Sequence, residues 1–277
     1  MPTSRDEILA STTPIEIGSA THVGRVRSNN EDSYKVVPAH KLFVLSDGIG
    51  GQANGEVASA MAVETIVAHC LELPTGPSNN NGDDPQPGIS DKANHLLKAT
   101  YLANRAILGA SINDPRFQGM GATLVAAWID GHRLSLVHVG DSRAYLFREG
   151  DLVSLTSDHT LVAEQVRNGL LTVEQAQTNP LRRILIRALG AREEVEIDIL
   201  EHELRAGDVL LLCTDGLTGM VSESQITDVL CHARDAQSAA DRLIASANEH
   251  GGEDNTTVIL VRIGTSAGQN GLWRCVQ

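Results

Sequence analysis

Aromatic residues are scarce in this chain of 277 residues, which has two Trp, three Tyr and three Phe. Aliphatic side chains and alanine must therefore fill the core, and a hydrophobic fraction of 42% supplies them. Basic residues are also few: 22 Lys and Arg stand against 35 Asp and Glu, for a formal net charge of −13. This balance argues against nucleic acid as a sequence-independent partner, because such binding requires a basic surface.

Long apolar segments and closely paired cysteines are missing as well. No stretch of 18 apolar residues occurs, and the first residues lack the apolar core of a signal peptide. We therefore expect no membrane association and predict a cytoplasmic protein. The four cysteines include no pair at C-x-x-C spacing, so neither a zinc site nor a dithiol redox site is indicated.

The hydrophobic pattern predicts strands in adjacent runs and helices in pairs, rather than a strict β-α-β alternation. This order favours an α+β fold with mostly antiparallel sheets. We expect a flexible N-terminal arm at residues 1–13, one domain over 14–264 and a C-terminal tail at 265–277. Within the domain, the segment 74–89 is rich in Pro, Gly, Asn and Asp and is predicted to be a mobile loop.

Aspartates at the ends of apolar runs are the most informative feature of the sequence. Asp47, Asp141 and Asp215 each follow such a run and lie next to a glycine. Asp32 and Asp254 each come close before a predicted strand. A single Asp-Gly pair is usually a turn, but a carboxylate at the edge of a buried run costs free energy unless its charge is compensated. Taken together, the four residues Asp32, Asp47, Asp215 and Asp254 are typical of a site for hard divalent cations such as Mg²⁺ or Mn²⁺.

The glycine-rich loop after Asp47 permits a second interpretation. Gly48-x-Gly50-x-x-Ala53 formally matches a dinucleotide-binding fingerprint. However, Asp47 would repel a pyrophosphate, and no acidic residue closes a second strand about 20 positions later, as that fold requires. The metal interpretation is favoured, because a glycine beside the aspartate also lets its carbonyl approach a cation.

Six segments occur in the order typical of one family. They read VRSNNEDSY, LSDGIGGQANGEVAS, GATLVAAWIDGHRLSLVHVGDSRAYLFR, LTSDHTLVAEQV, LLLCTDGLTGMVSE and GGEDNTTVILV. Together they resemble the metal-dependent Ser/Thr protein phosphatases (PPM, type 2C) in their compact bacterial form, from about residue 15 to 263. The resemblance implies a four-layer α-β-β-α sandwich, in which two antiparallel sheets are flanked by helix pairs. It also implies a flap over residues 157–190, beside the active site.

The resemblance further implies a catalytic centre with two Mn²⁺ or Mg²⁺ ions and a third cation beside them. The ligands of the pair match Asp32 (mainly through waters), Asp47, Asp215, Asp254 and the carbonyl of Gly48. Asp141 matches a ligand of the third cation, which shares Asp215. Arg27 matches the arginine that binds the substrate phosphate, so the implied catalytic set is Arg27, Asp47, Asp215 and Asp254.

The activity implied by the resemblance is hydrolysis of phosphoserine and phosphothreonine in proteins. In such enzymes a hydroxide that bridges the two cations attacks the phosphorus in line. We expect phosphorylated proteins, the substrates of a Ser/Thr kinase, as partners, and we expect a monomer. Two alternatives stay open: a catalytically weak phosphoprotein-binding regulatory module, and a phosphatase dedicated to one regulatory partner.

The chain departs from the family pattern at Gln52. Many members carry a histidine there, proposed as the acid that protonates the leaving alkoxide, and an amide does not transfer protons usefully. His159, at the start of the predicted flap, and a water on the metals are the alternative proton sources. His138, which lies between two valines on a strand, is interpreted as a structural residue with its hydrogen bonds satisfied.

Two further positions have open interpretations. Asn255 is either a partner that braces Asp254 or a turn residue. Arg182 and Arg183, within the predicted flap, either contact a phosphopeptide or form a solvated charge pair.

Overall fold

The computed structural model describes residues 14–50, 54–72 and 86–264. Gln52, the predicted arm, most of the predicted loop 74–89 and the predicted tail lie outside these residues. No described helix is both long enough and apolar enough to cross a bilayer.

The strands form two antiparallel sheets. Sheet one has the order β1 (Ile15–His22), β11 (Thr256–Ile263), β10 (Val209–Cys213), β7 (Arg143–Arg148) and β8 (Asp151–Ser154). Sheet two has the order β2 (Asp32–Val37), β3 (Leu42–Ile49), β5 (Leu124–Asp130), β6 (Arg133–Val139) and β9 (Asp198–Glu203), and the short β4 (Gly121–Ala122) pairs with β3.

The described part of the chain forms seven α-helices. They are α1 (Asn54–Leu71), α2 (Asp91–Asn113), α3 (Leu161–Arg167), α4 (Val173–Gln177), α5 (Asp215–Thr218), α6 (Glu223–His232) and α7 (Ala236–Glu249). The pair α1 and α2 packs on sheet two, and the pair α6 and α7 packs on sheet one. This α-β-β-α order confirms the predicted fold class.

Strand β3 shows why the core has three layers. Leu42 and Val44 pack in the cluster beneath α1 and α2, whereas Phe43 and Leu45 pack in the cluster between the sheets. Successive side chains of a strand point to opposite faces, so a strand buried on both sides reads as a continuous apolar run. The uninterrupted sequence Leu42–Leu45 therefore reflects burial on both faces.

Three local features differ from the sequence-based expectations. The alternating pattern of the segment EVEIDILEHEL predicts a strand over 194–204, but strand β9 begins only at Asp198. Asp215 is the first residue of the short helix α5, which was not predicted, and the four-residue strand β8 was not predicted either. Short elements carry too few residues for periodicity to identify them.

Candidate active site

Two aspartates face each other at one end of the sandwich. Asp32 begins β2 and lies directly opposite Asp47 on β3, so both side chains project from the same face of sheet two. Like charges in this position are destabilising. The Oδ2 atom of Asp32 accepts hydrogen bonds from the hydroxyls of Thr214 (3.0 Å) and Thr257 (2.6 Å), which follow β10 and lie on β11 of sheet one. Asp32 therefore joins the two sheets at this end.

The second oxygen of Asp32, Oδ1, is buried without a hydrogen-bond partner among the described residues. Burial is the main reason that the pKa of Asp32 rises to about 7, and the charges of Asp215 and Asp254 add to it. A buried carboxylate oxygen left unpaired is costly, so the site requires a proton or a cation there.

The backbone at Asp47 and Gly48 is held tightly. The N–H of Asp47 donates to the hydroxyl of Thr123 (2.9 Å), and the N–H of Thr123 donates to the carbonyl of Asp47 (2.8 Å). A Cβ at Gly48 would lie 2.1 Å from the carbonyl oxygen of Gly55, in the first turn of α1. Only glycine allows α1 to begin this close to the end of β3. Close packing is thus a reason for this glycine that the sequence did not reveal.

Three more carboxylates lie near this pair. Asp215 is in the first turn of α5, and burial followed by the charge of Asp254 raises its pKa. Asp141 follows Gly140, whose φ of 105° is in the left-handed region that favours glycine. Burial followed by the charge of Asp215 raises the pKa of Asp141 to about 8.

The pKa of Asp47 shows that the five carboxylates act on one another. Burial raises it well above its usual range, and the next contributions are the charges of Asp32, Asp215, Asp141 and Asp254. The structure therefore brings all five sequence-predicted aspartates into one electrostatic cluster, although they come from five separate segments of the chain. Repulsion within such a group disfavours the ionised state unless cations are bound.

Asn255 fixes the loop that carries Arg27. Its side chain makes three hydrogen bonds of 2.8–2.9 Å to the backbone of the loop 23–31. From Asn255, Asp254 accepts only the backbone N–H, which lies 3.0 Å from Oδ1. The amide side chain therefore does not brace Asp254 directly. It places the loop instead, a role that neither sequence interpretation included.

Two arginines from distant segments of the sequence lie close to Asp254. Nη2 of Arg27 lies 2.9 Å from Oδ2 of Asp254, and Nη1 of Arg183 lies 3.6 Å from the same oxygen. Arg183 also pairs with Glu253 at 3.6 Å. Arg182 makes no ion pair with any residue that the structure describes. The structure thus distinguishes two adjacent arginines that the sequence left equivalent.

The donor set fits hard divalent cations. The clustered side chains offer carboxylate oxygens, which suit Mg²⁺ and Mn²⁺ rather than softer metals. A cation would also supply the partner that Oδ1 of Asp32 lacks. It would stabilise the ionised carboxylates and lower pKa values that burial and repulsion now raise.

His159 is not directed at this cluster. Its Nδ1 accepts a hydrogen bond from the N–H of Gly140 (3.1 Å), so the proton of the neutral ring lies on Nε2, which is 3.2 Å from Oδ2 of Asp198. Both nitrogens are engaged, and the ring is 1% exposed. This geometry argues against His159 as the acid that protonates the leaving group.

His138 packs against His159, with the ring centroids 4.6 Å apart. Its burial fits the predicted structural role. The predicted hydrogen bonds are not seen, because neither nitrogen has a partner of ordinary geometry among the described residues, although the backbone of Ser142 acts on the ring. Burial lowers the pKa of His138 to about 4, and the ring is neutral.

Together with Asp198, the two histidines place potential ligand atoms within 4.8 Å of one another. Metal binding through Nε2 of His159 would require a proton on Nδ1, facing the N–H of Gly140, so this arrangement does not form a metal site.

A family model described as "Protein phosphatase 2C" matches residues 21–253. The chain belongs to the protein phosphatase 2C family. It is 42% identical over 240 residues to the serine/threonine protein phosphatase PstP of Mycobacterium tuberculosis, which covers 87% of this chain and 43% of PstP. It therefore spans less than half the length of that relative. It is also 36% identical over 244 residues to the serine/threonine phosphatase stp of Listeria monocytogenes. That match covers 87% of this chain and 93% of stp.

Solved structures of the 2C family share the fold. The crystal structure of PstP/Ppp from Mycobacterium tuberculosis matches with a TM-score of 0.79 and 39% identity, covering 91% of this chain and 99% of that one. The crystal structure of the catalytic domain of PstP in complex with two manganese ions matches with a TM-score of 0.78 and 36% identity. This match covers 92% of this chain and 100% of that one. These matches confirm the family resemblance and the sandwich architecture.

Proposed function

We propose that this 2C-family chain is a metal-dependent phosphoprotein phosphatase that hydrolyses phosphoserine and phosphothreonine. The observation that carries the proposal is the buried group of five aspartates, in which one oxygen of Asp32 has no hydrogen-bond partner in the described part of the chain. Relatives that are named serine/threonine phosphatases, and a solved relative with two manganese ions, support it.

The cluster suggests which residues would hold the cations. Two Mn²⁺ or Mg²⁺ ions would be bound by Asp47, Asp215, Asp254 and the carbonyl of Gly48, with Asp32 acting mainly through waters. Asp141, together with Asp215, would hold a third. When bound, such cations supply Lewis-acid stabilisation of the phosphoryl oxygens and an activated water as the nucleophile.

The chain's own residues orient the reactants. The hydroxyls of Thr214 and Thr257 fix the Asp32 carboxylate, which leaves its other oxygen directed away from them. Arg27 is 48% exposed at the edge of the cluster and offers a planar fork of donors suited to a phosphate. Its loop is held by Asn255, so the guanidinium is positioned before the substrate arrives.

The biological setting is proposed from the same features. We infer that phosphorylated proteins, substrates of a Ser/Thr kinase, are the partners, and that the protein acts as a cytoplasmic monomer without nucleic acid or membrane. The phosphatase domain would extend over 14–264 and include the loop 74–89 and the flap 157–190. All five aspartates are present, and this weighs against a binding module that has lost catalysis.

The test is turnover of p-nitrophenyl phosphate and of a phosphothreonine peptide with Mn²⁺, Mg²⁺ or EDTA. We expect activity with either cation and none in EDTA. Asp47→Asn and Asp254→Asn should each lose at least about 10³-fold in kcat, because each removes a proposed ligand. Asp151→Asn, at an exposed position on β8, is the matched control and should behave like wild type.

Full activity in EDTA, or a tenth of wild-type activity in either ligand variant at saturating Mn²⁺, would contradict the proposed centre. Tight binding of the phosphopeptide without any turnover would favour the regulatory binding module instead.

A further inference from the structure

Arg183 is a cationic residue of the 157–190 segment that reaches the carboxylate cluster. Its Nη1 lies 3.6 Å from Oδ2 of Asp254, the same oxygen that Arg27 contacts at 2.9 Å. Burial and the charge of Asp254 raise the pKa of Asp215, and the charge of Arg183 opposes them by lowering it. Two arginines from distant parts of the sequence therefore converge on one carboxylate oxygen.

This convergence has a geometric consequence. The guanidinium nitrogens of Arg27 and Arg183 cannot be farther apart than the sum of 2.9 and 3.6 Å, because both approach the same atom. A phosphate group, with its several oxygens, can span such a gap with hydrogen bonds of ordinary length to both guanidinium groups. Two donors that share a carboxylate oxygen are thus placed to share a phosphate.

Both arginines are accessible at the edge of a buried site. The side chains of Arg27 and Arg183 are 48% and 46% exposed, whereas that of Asp254 is 17% exposed. A substrate phosphate that approaches the aspartates from solvent can therefore meet both guanidinium groups. Cations on the carboxylates would compete with the arginines for Asp254 and free their donors for an anion.

The backbone around Arg183 is fixed rather than loose. The N–H of Leu161 donates to the carbonyl of Ile184, and the N–H of Ile186 donates to the carbonyl of His159, each at 2.8 Å. These two bonds tie residues 184–186 to the start of α3. Arg183, immediately before them, is consequently held close to Asp254 without the substrate, which reduces the entropy lost on binding.

We propose that Arg183 is a second phosphate-binding residue, which forms with Arg27 a two-arginine clamp on the phosphate of a phosphoserine or phosphothreonine. The inference rests on the proposed function and adds a specificity residue to it. Glu253, 3.6 Å from Nη2 of Arg183, keeps the guanidinium near the site when Asp254 is engaged elsewhere. Binding of the phosphate would exchange the carboxylate partner of each arginine for a phosphate oxygen.

The experiment compares Arg183→Gln, Arg183→Lys and the control Arg192→Gln. Arg192 is exposed and makes no ion pair with a described residue, so its substitution removes the same charge outside the clamp. With Mn²⁺ present, we expect Arg183→Gln to raise the inhibition constant of inorganic phosphate and the KM of a phosphopeptide by about tenfold, the loss of a charge-assisted contact at a half-exposed site. Arg183→Lys should give an intermediate value, because it keeps the charge and loses the fork.

A second measurement separates phosphate binding from a structural role. Titration calorimetry with Mn²⁺ should show Arg183→Gln binding the cation as tightly as wild type or more tightly, because Arg183 competes for Asp254. Weaker Mn²⁺ binding, or an inhibition constant equal to that of Arg192→Gln, would overturn the clamp. If the wild type shows no turnover, the proposed function fails. The clamp is then tested by phosphate titration of the Mn²⁺-loaded proteins, where equal affinity in wild type and Arg183→Gln refutes it.

Discussion

Replacing Asp141 with asparagine removes one buried carboxyl from the cluster while keeping its size. Burial and the charge of Asp215 raise the pKa of Asp141 from 3.8 to about 8. One pKa unit corresponds to about 1.36 kcal/mol, so the carboxyl destabilises the metal-free protein at pH 8 by at most about 5–6 kcal/mol. Water entry and relaxation of the site lower such a cost, and we expect Asp141→Asn to stabilise the metal-free protein by about 2–3 kcal/mol at pH 8.

The pH dependence has a definite sign. Below pH 3.8 the carboxyl of Asp141 is protonated in both the folded and the unfolded chain and contributes no penalty. Between this value and about 8, the unfolded chain has released the proton while the folded chain retains it. The free energy of unfolding contributed by this group therefore falls as the pH rises through that window. Asparagine does not titrate, so the advantage of Asp141→Asn should grow from pH 4 to pH 8.

The assay is urea unfolding in EDTA at pH 5 and pH 8 for wild type, Asp141→Asn and the exposed control Asp151→Asn. Saturating Mn²⁺ should then stabilise the wild type more than Asp141→Asn, because the variant has lost a proposed ligand. Equal unfolding free energies for wild type and Asp141→Asn at pH 8 would refute the electrostatic argument. An advantage that is the same at pH 5 as at pH 8 would also refute it, because it would show a packing effect.

Two further predictions concern the glycine-rich loop. Gly48→Ala should destabilise the fold by about 2–4 kcal/mol, because its Cβ would lie 2.1 Å from the Gly55 carbonyl. Gly109→Ala on α2, whose Cβ meets nothing within 4 Å, should instead be neutral or stabilising, and equal unfolding midpoints for the two variants would disprove the packing role. Gln52→His should raise kcat on a phosphopeptide by about 10²-fold and leave kcat on p-nitrophenyl phosphate nearly unchanged, since p-nitrophenolate leaves without an acid. An equal change for both substrates would count against a missing acid at this position.

Features with a local physical cause could be predicted from the sequence. The continuous apolar run Leu42–Leu45 predicted a buried strand, and the structure buries β3 on both faces, which requires every one of these side chains to be apolar. The helical spacing of apolar residues after Asn54 predicts a helix over 54–73, and the structure describes α1 over Asn54–Leu71. The aspartates that follow apolar runs, such as Asp47 and Asp215, indicated one cluster because burial of a charge at a strand end needs compensation.

Contacts between distant segments could not be predicted in this way. Asn255 is bonded to a loop more than 220 residues earlier in the chain, and no pattern near Asn255 indicates that loop. Arg183 differs from Arg182 only through tertiary placement, since the two are adjacent and chemically identical. The sequence made His159 a candidate for the general acid that protonates the leaving group, yet its Nδ1 accepts a hydrogen bond from the backbone N–H of Gly140. Each of these roles depends on a partner that only the fold brings near.

The position of the cluster follows from the way the two sheets meet. Asp32 is on the edge strand of sheet two, while its hydroxyl partners Thr214 and Thr257 belong to sheet one. A single carboxylate thus connects both halves of the sandwich, and its other oxygen has no hydrogen-bond partner among the described residues. Cations that neutralise the cluster would therefore also strengthen the contact between the sheets. Binding of metal and stability of this end of the fold are consequently coupled, so a change that loosens the sheet contact should weaken metal binding even when every aspartate is retained.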